Sequence, residues 1–145
     1  MTPRERIVTS ARSWVGTPFH HQASVKAVGC DCLGLLRGIW RELYQREPVT
    51  APCYDQSWMR DGHELLLEAL HRHCSPVDVG EICEGQILVF RWRMGWAASH
   101  LAIATATHLI IHAQDGCGVC EVALPASWRR HIAAQFEFPD LRKTV

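Results

Sequence analysis

Along the first half of the chain apolar residues recur at the three- and four-residue spacing of a helix face, whereas after residue 80 they fall in short continuous or alternating runs. Ile7, Val8, Ala11, Trp14 and Val15 form the first helical stripe. Thr2, Pro3 and Glu5 ahead of it supply a cap, a first-turn proline and the acid of a capping box. Gly16-Thr17-Pro18 ends that helix, and the stretch FHHQASVKAVG reads as irregular. A second helix is predicted to begin at Cys32 with Asp31 as its N-cap and Leu35, Leu36, Ile39, Trp40 and Leu43 as its buried stripe. Gly34 and Gly38 in that helix would permit a close neighbour. A proline-containing loop, REPVTAPCYD, precedes a third helix opened by Asp61 and Glu64, which carries Leu65, Leu66, Leu67, Ala69 and Leu70 and stops before Pro76.

The runs QILVF, SHLAIAT, HLIIHA, GVCEVAL and HIAAQFEF then read as strands. Helices first and a meandering sheet afterwards predict one α+β domain over residues 1–145, with the N-terminal helices packed on a C-terminal antiparallel sheet. A three-residue loop at Thr105-Ala106-Thr107 would set His100 opposite His112. Both histidines would then share a face, with Leu101, Ile103, Leu109 and Ile111 on the other.

Fifteen basic and fifteen acidic residues cancel, so the chain lacks the global positive field that supplies nonspecific affinity for nucleic acid. No apolar run approaches the ~20 residues of a membrane span, and MTPRERIVTSARSW has no apolar leader core. The expectation is a protein made in the cytoplasm without a signal peptide. Seven scattered cysteines do not resemble the framework of a small disulfide scaffold, and they read as reduced thiols.

The chemistry concentrates in GCDCLGLL, where Cys32 could be a packed thiol, a metal ligand or a nucleophile. A thiol in the first turn of a helix sits at the positive end of the helix dipole, and a neighbouring histidine lowers its pKa further. His100 would serve if the sheet packs against this helix, His112 would orient it, and free N–H groups at the helix start would hold an oxyanion. These parts fit acyl transfer.

The stretch GTPFHHQASVKAVGCDCLGLLRGIW resembles the Asp-Cys-x-Gly-Leu nucleophile region of the NlpC-type, papain-like cell-wall peptidases. EGQILVF is similar to the Gly-Asp-Leu-x-x-Phe strand of that family, SHLAIAT to its His-Val-Gly-Ile strand, and HLIIHAQ to the strand carrying its third catalytic residue. The resemblance runs in order from Gly16 to about Gln114, and the run from Asp31 through Trp40, followed by the Arg/Tyr/Pro-rich loop, is similar to the subgroup encoded beside tail genes of phages and gene transfer agents. It implies a papain-like NlpC-type fold, Cys32 as nucleophile, His100 as base and then acid, and His112 as the orienting residue. It also implies Phe19 and Asp31 beside the substrate, a peptidoglycan stem peptide, often its γ-D-glutamyl-to-diamino-acid amide. No cofactor is implied. Partners would be phage-like tail proteins, with delivery to the cell wall or periplasm in a phage-like particle. The chain departs from the family pattern at Phe19, where Tyr is usual, and at Leu33, where Ser is common.

Competing readings are a structural tail-tip module with little activity, and a zinc-stabilised domain using Cys30, Cys32, Cys117 and Cys120. RWRMGW offers either aromatic and arginine contacts to a glycan or tail protein, or a strand end that packs one Trp and lays the other along a cleft.

Overall fold

The computed structural model describes residues 1–47 and 63–141. Part of the proline-containing loop and Asp61, offered above as a helix start, lie outside the described residues. Helix α1 (Pro3–Ser13) opens with the expected capping box, Thr2 accepting from the Glu5 N–H and Glu5 from the Thr2 N–H. Helix α2 (Cys32–Tyr44) begins where the cap signal put it. Helix α3 (Leu65–His73) starts at Glu64, whose carboxylate makes no capping bond. It is claimed instead by Arg91, as described below.

The irregular stretch after α1 contains a two-residue hairpin, β1 (Ser24–Val25) with β2 (Gly29–Cys30). The main sheet has six antiparallel strands in the order β3-β8-β4-β5-β6-β7, formed by β3 (Ser75–Val77), β4 (Ile87–Phe90), β5 (His100–Ala106), β6 (Leu109–Gln114), β7 (Gly118–Ala123) and β8 (Ile132–Glu137). A one-turn helix, α4 (Ala126–Arg129), joins the last two. Besides the short hairpin, β3 and α4 escape the sequence patterns. β3 contains Pro76, which an edge strand tolerates because one side of its backbone has no partner, and α4 is too short for a stripe.

The sheet is covered on both faces. Leu35, Ile39 and Leu43 of α2 pack with Ile87, Val89, Leu101, Ile103 and Ile111 on the inner face. Leu88, Phe90, Ala102, Ala104 and Ile110 point outward beneath Trp92, Trp128, Val122 and Ile132. The β5–β6 hairpin turns at Thr107-His108, and β5 bulges between Ala104 and Ala106, so Ile103 pairs with Ile111 and Ala106 with Leu109. This register differs by two residues from the predicted one. Side chains alternate with period two, so an even slip keeps His100 and His112 on one face while making them diagonal neighbours.

Both helix glycines mark close approaches. A Cβ on Gly34 would sit 1.8 Å from the Ala23 carbonyl oxygen, and one on Gly38 would sit 1.9 Å from the Trp14 ring. Gly80 faces open space at an ordinary φ. Gly34→Ala should therefore cost about 1–3 kcal/mol, the range for overpacking, because a backbone carbonyl has nowhere to retreat. Gly80→Ala should leave stability level or raise it by about 0.4–1 kcal/mol. Urea titration of both variants checks the pair, and equal midpoints would contradict the packing described.

Candidate active site

The site is built around the junction between β2 and α2. Asp31 is 5% exposed. One carboxylate oxygen accepts from the Gly34 N–H at 2.7 Å, capping α2, and the other accepts from the Gln22 N–H at 2.8 Å. Gln22 has φ +64°, a left-handed conformation that costs a non-glycine residue free energy and that this bond helps to hold. Further ties fix the same segment: the Arg41 guanidinium donates to the Ser24 carbonyl at 2.6 Å, the Ser24 hydroxyl to the Gly34 carbonyl at 2.6 Å, and the Ala27 N–H to the Thr17 hydroxyl at 3.0 Å. Phe19, half-buried, bridges to Cys30, two residues before Cys32. Asp31 thus anchors the place where both Phe19 and Cys32 are displayed, with each oxygen bonded to main chain and His21 Nδ1 3.9 Å from one of them.

Cys32 is the first residue of α2. Its thiol lies 4.0 Å from the Ser99 carbonyl oxygen, and N–H groups of Leu101, Leu33 and Cys32 itself are directed at the sulfur. Ser99 and Leu101 flank His100, so the sulfur rests on main chain either side of the candidate base; no hydrogen bond joins it to the imidazole. Burial, and after it the charge of Asp31, push the thiol up to about 12, with the three N–H groups opposing them only in part. The sequence argument expected a depressed thiol. Helix-start N–H groups do favour the thiolate here, but loss of water and a neighbouring carboxylate outweigh them.

His100 begins β5, and its Nε2 lies 2.9 Å from Nδ1 of His112 on β6. The rings are perpendicular, with centroids 5.2 Å apart. His112 is 1% exposed. Burial and then the proximity of His112 lower His100 to about 3, and burial also lowers His112. Both therefore rest as neutral imidazoles. Nδ1 of His100 has no hydrogen-bond partner among the described residues and is the nitrogen left to receive a proton.

An aromatic enclosure surrounds the pair. Phe90, Trp92 and Trp128 stand with centroids 6.0, 5.9 and 5.9 Å from His100, and Trp128 is 5.3 Å from His112. Trp92 stacks on Phe90 at 5.3 Å, while the exposed Arg93 lies over Trp96. RWRMGW thus packs one Trp inward, and Arg91 is unavailable to a ligand: its guanidinium grips both Glu64 oxygens at 2.7 and 3.1 Å and the Trp96 carbonyl at 2.5 Å. Trp128 carried no sequence signal of this role, being a lone aromatic between strands.

The cysteine pairs do not converge on a metal site. No group of three or more His, Cys, Asp or Glu that could hold a metal occurs among the described residues. Cys117 is exposed at the β6–β7 turn, and Cys120 pairs with His112 across the strands. Between Cys30 and β7 runs the Thr17-Pro18 segment, which accepts the Cys30 N–H at 3.0 Å and the Val119 N–H at 2.8 Å.

The whole architecture has solved counterparts. A similar-to-lipoprotein NLP/P60 protein of Staphylococcus aureus superposes with a TM-score of 0.61 over 93% of this chain at 17% identity, and an NlpC/P60 protein of Bacillus cereus with 0.67 over 96% at 16%. The NlpC/p60 domain of the peptidoglycan hydrolase SagA superposes with 0.64 over 96% at 22%. The chain has the papain-like NlpC/P60 fold. It spans 41% of the staphylococcal and Bacillus proteins and 100% of the SagA domain. No protein-family model and no curated protein matches the sequence. Among the described residues, no helix of this NlpC/P60 fold is long and apolar enough to cross a membrane.

The half-buried His100 and buried His112 make acid stability a test of the site. Unfolded, His100 takes up a proton as pH falls through its ordinary 6.5; folded, it resists down to about 3. Its contribution to stability is full above 6.5 and is lost progressively as pH falls from 6.5 toward 3, by at most about 1.4 kcal/mol per pH unit. Melting of wild type between pH 7.5 and 4.5 should show this loss, and His100→Gln should flatten it. Parallel curves for the two proteins would contradict the burial of a neutral His100.

Proposed function

We propose that the chain is a thiol hydrolase that cuts an amide bond of peptidoglycan stem peptides, with Cys32 as nucleophile, His100 as general base and then acid, and His112 as its orienting partner. The observation that carries this is the 2.9 Å bond between His100 Nε2 and His112 Nδ1, set where the α2 start brings the Cys32 sulfur against the residues flanking His100. The SagA domain, a peptidoglycan hydrolase of the same fold and length, supports the substrate class.

Catalysis begins with the thiol leaving its main-chain contacts and turning to Nδ1 of His100. With His100 Nε2–H donating to His112, Nδ1 holds a lone pair and takes the thiol proton as sulfur attacks the amide carbon. The N–H groups of Cys32 and Leu33, already directed at sulfur, receive the developing oxyanion. Collapse of the tetrahedral intermediate breaks the C–N bond, and His100 returns its proton to the leaving amine. Water, deprotonated by His100, then hydrolyses the thioester. His112 is neutral, so it orients the imidazolium without the countercharge of a carboxylate. Phe19 and Asp31 act at the rim, Phe19 by ring packing and Asp31 by holding the loop.

A second reading, a structural tail-tip module with little activity, is favoured by the neutral thiol without an imidazole bond and by Phe19, which lacks a tyrosine hydroxyl. Association with a phage-like tail and delivery in its particle rest on the resemblance of the run from Asp31 through Trp40 and the Arg/Tyr/Pro-rich loop after it. Digestion of purified peptidoglycan, with mass analysis of the fragments, separates the two. Wild type should release cleaved stem peptides and Cys32→Ala none. Phe19→Tyr should alter turnover by no more than roughly tenfold, the worth of one hydrogen bond. Undetectable release by all three would sink the hydrolase reading.

A further inference from the structure

Helix α4 is a single turn whose residues are exposed except for Trp128. It is nevertheless pinned on every side. The Leu124 N–H donates to the His108 carbonyl at 2.8 Å before it, and the Arg129 guanidinium donates to the Thr107 carbonyl at 2.7 Å. The His131 N–H donates to the Trp128 carbonyl at 2.9 Å, and His131 faces the Arg91 carbonyl through Nδ1 at 3.1 Å while accepting the Arg91 N–H at 2.8 Å. A turn held this firmly presents one side chain to the sheet. That indole stands perpendicular to both imidazoles, at 86° to His100 and 89° to His112, and contacts Trp92 at 4.9 Å and Phe90 at 5.5 Å.

We propose that Trp128 is a positioning residue for the histidine pair: its indole fixes both rings edge-on and shields their mutual hydrogen bond from water. Two consequences follow from the geometry. A perpendicular aromatic contact favours a ring edge over a π face, so the pair is held in one relative orientation rather than free to turn about χ2. Exclusion of water also keeps the imidazoles uncharged. Among the described residues, the groups around the pair supply no charge that would do this instead. Phe90 and Trp92 face it from β4 and the residues beyond, and Ala102 and Ala104 share its face of β5. Cys120 lies across from His112 on β7, and its thiol is raised by burial and by Cys117. Cys32, on α2, packs with the inner-face cluster and meets the main chain beside His100 rather than its ring, and His131 sits behind Trp92 at 5.6 Å. Arg129 is turned to Thr107, and Arg130 is exposed.

The inference rests on His100 being the base, yet its test reads the imidazoles directly and needs no hydrolysis, so it can fail or succeed independently of the proposed activity. Nitrogen-15 NMR of the histidine rings across pH should show, in wild type, one tautomer of His100 and His112, no protonation of His100 above pH 5, and in water at pH 6 an observable proton in their shared hydrogen bond. Trp128→Phe, which keeps a ring, should preserve this pattern. Trp128→Leu, which keeps apolar cover without a ring, should mix the tautomers and raise His100's titration by at least about one pH unit, a tenfold change. A folded Trp128→Leu with wild-type titration and tautomers would reduce Trp128 to surface packing and overturn the proposal. Rapid solvent exchange of the shared proton in the wild-type chain would overturn it without any variant.

Discussion

The Asp31 carboxylate is the constraint on which the rest of the site depends. One oxygen starts α2 and the other holds the left-handed Gln22, so a helix and the loop folded over its first turn are positioned by one buried charge. Gly34 permits this arrangement, since any side chain there would collide with Ala23. The consequence is that Cys32, the next residue, cannot wander from the start of β5. The same charge, however, disfavours the thiolate it positions. Order and reactivity pull in opposite directions at this junction, and the N–H groups around the sulfur only partly reconcile them.

The histidine pair shows a related compromise. Packing by Phe90, Trp92 and Trp128 leaves His100 half-buried and His112 1% exposed, which limits water at their hydrogen bond, strengthens that bond between neutral rings and penalises charge upon them. Under the proposed mechanism, a neutral thiol and a neutral imidazole would meet by proton transfer coupled to attack rather than as a standing ion pair. Binding of a substrate that displaces the thiol from the Ser99 carbonyl would then begin the chemistry.

Much of this was legible in the residues because local signals and the global fold agree. The Asp31 cap, the α2 stripe and its two glycines needed only the helical period, and the strands of the sheet announced themselves as apolar runs. The histidine face survived an incorrect register because the later, two-residue turn and the one-residue bulge in β5 together displace the pairing by two residues, and an even shift cannot change faces. What stayed hidden depends on contacts between distant segments. The bond that takes Glu64 from its cap to Arg91, the edge strand containing Pro76, and Trp128's place over the imidazoles carry no periodic signature. The thiol's shift was misjudged for a like reason: the helix start is visible in sequence, whereas burial against β5 is not.

The central claim is that the Asp31-anchored helix start makes Cys32, among seven cysteines, the nucleophile served by His100. The most direct test is to treat the protein with a stem-peptide analogue carrying a thiol-reactive electrophile in place of the scissile amide, and to locate the adduct by peptide mass spectrometry. The account predicts one adduct on Cys32, lost when His100 is replaced by Ala, with the more exposed Cys117 left unmodified. Preferential labelling of Cys117, or labelling of Cys32 that is indifferent to His100, would contradict it.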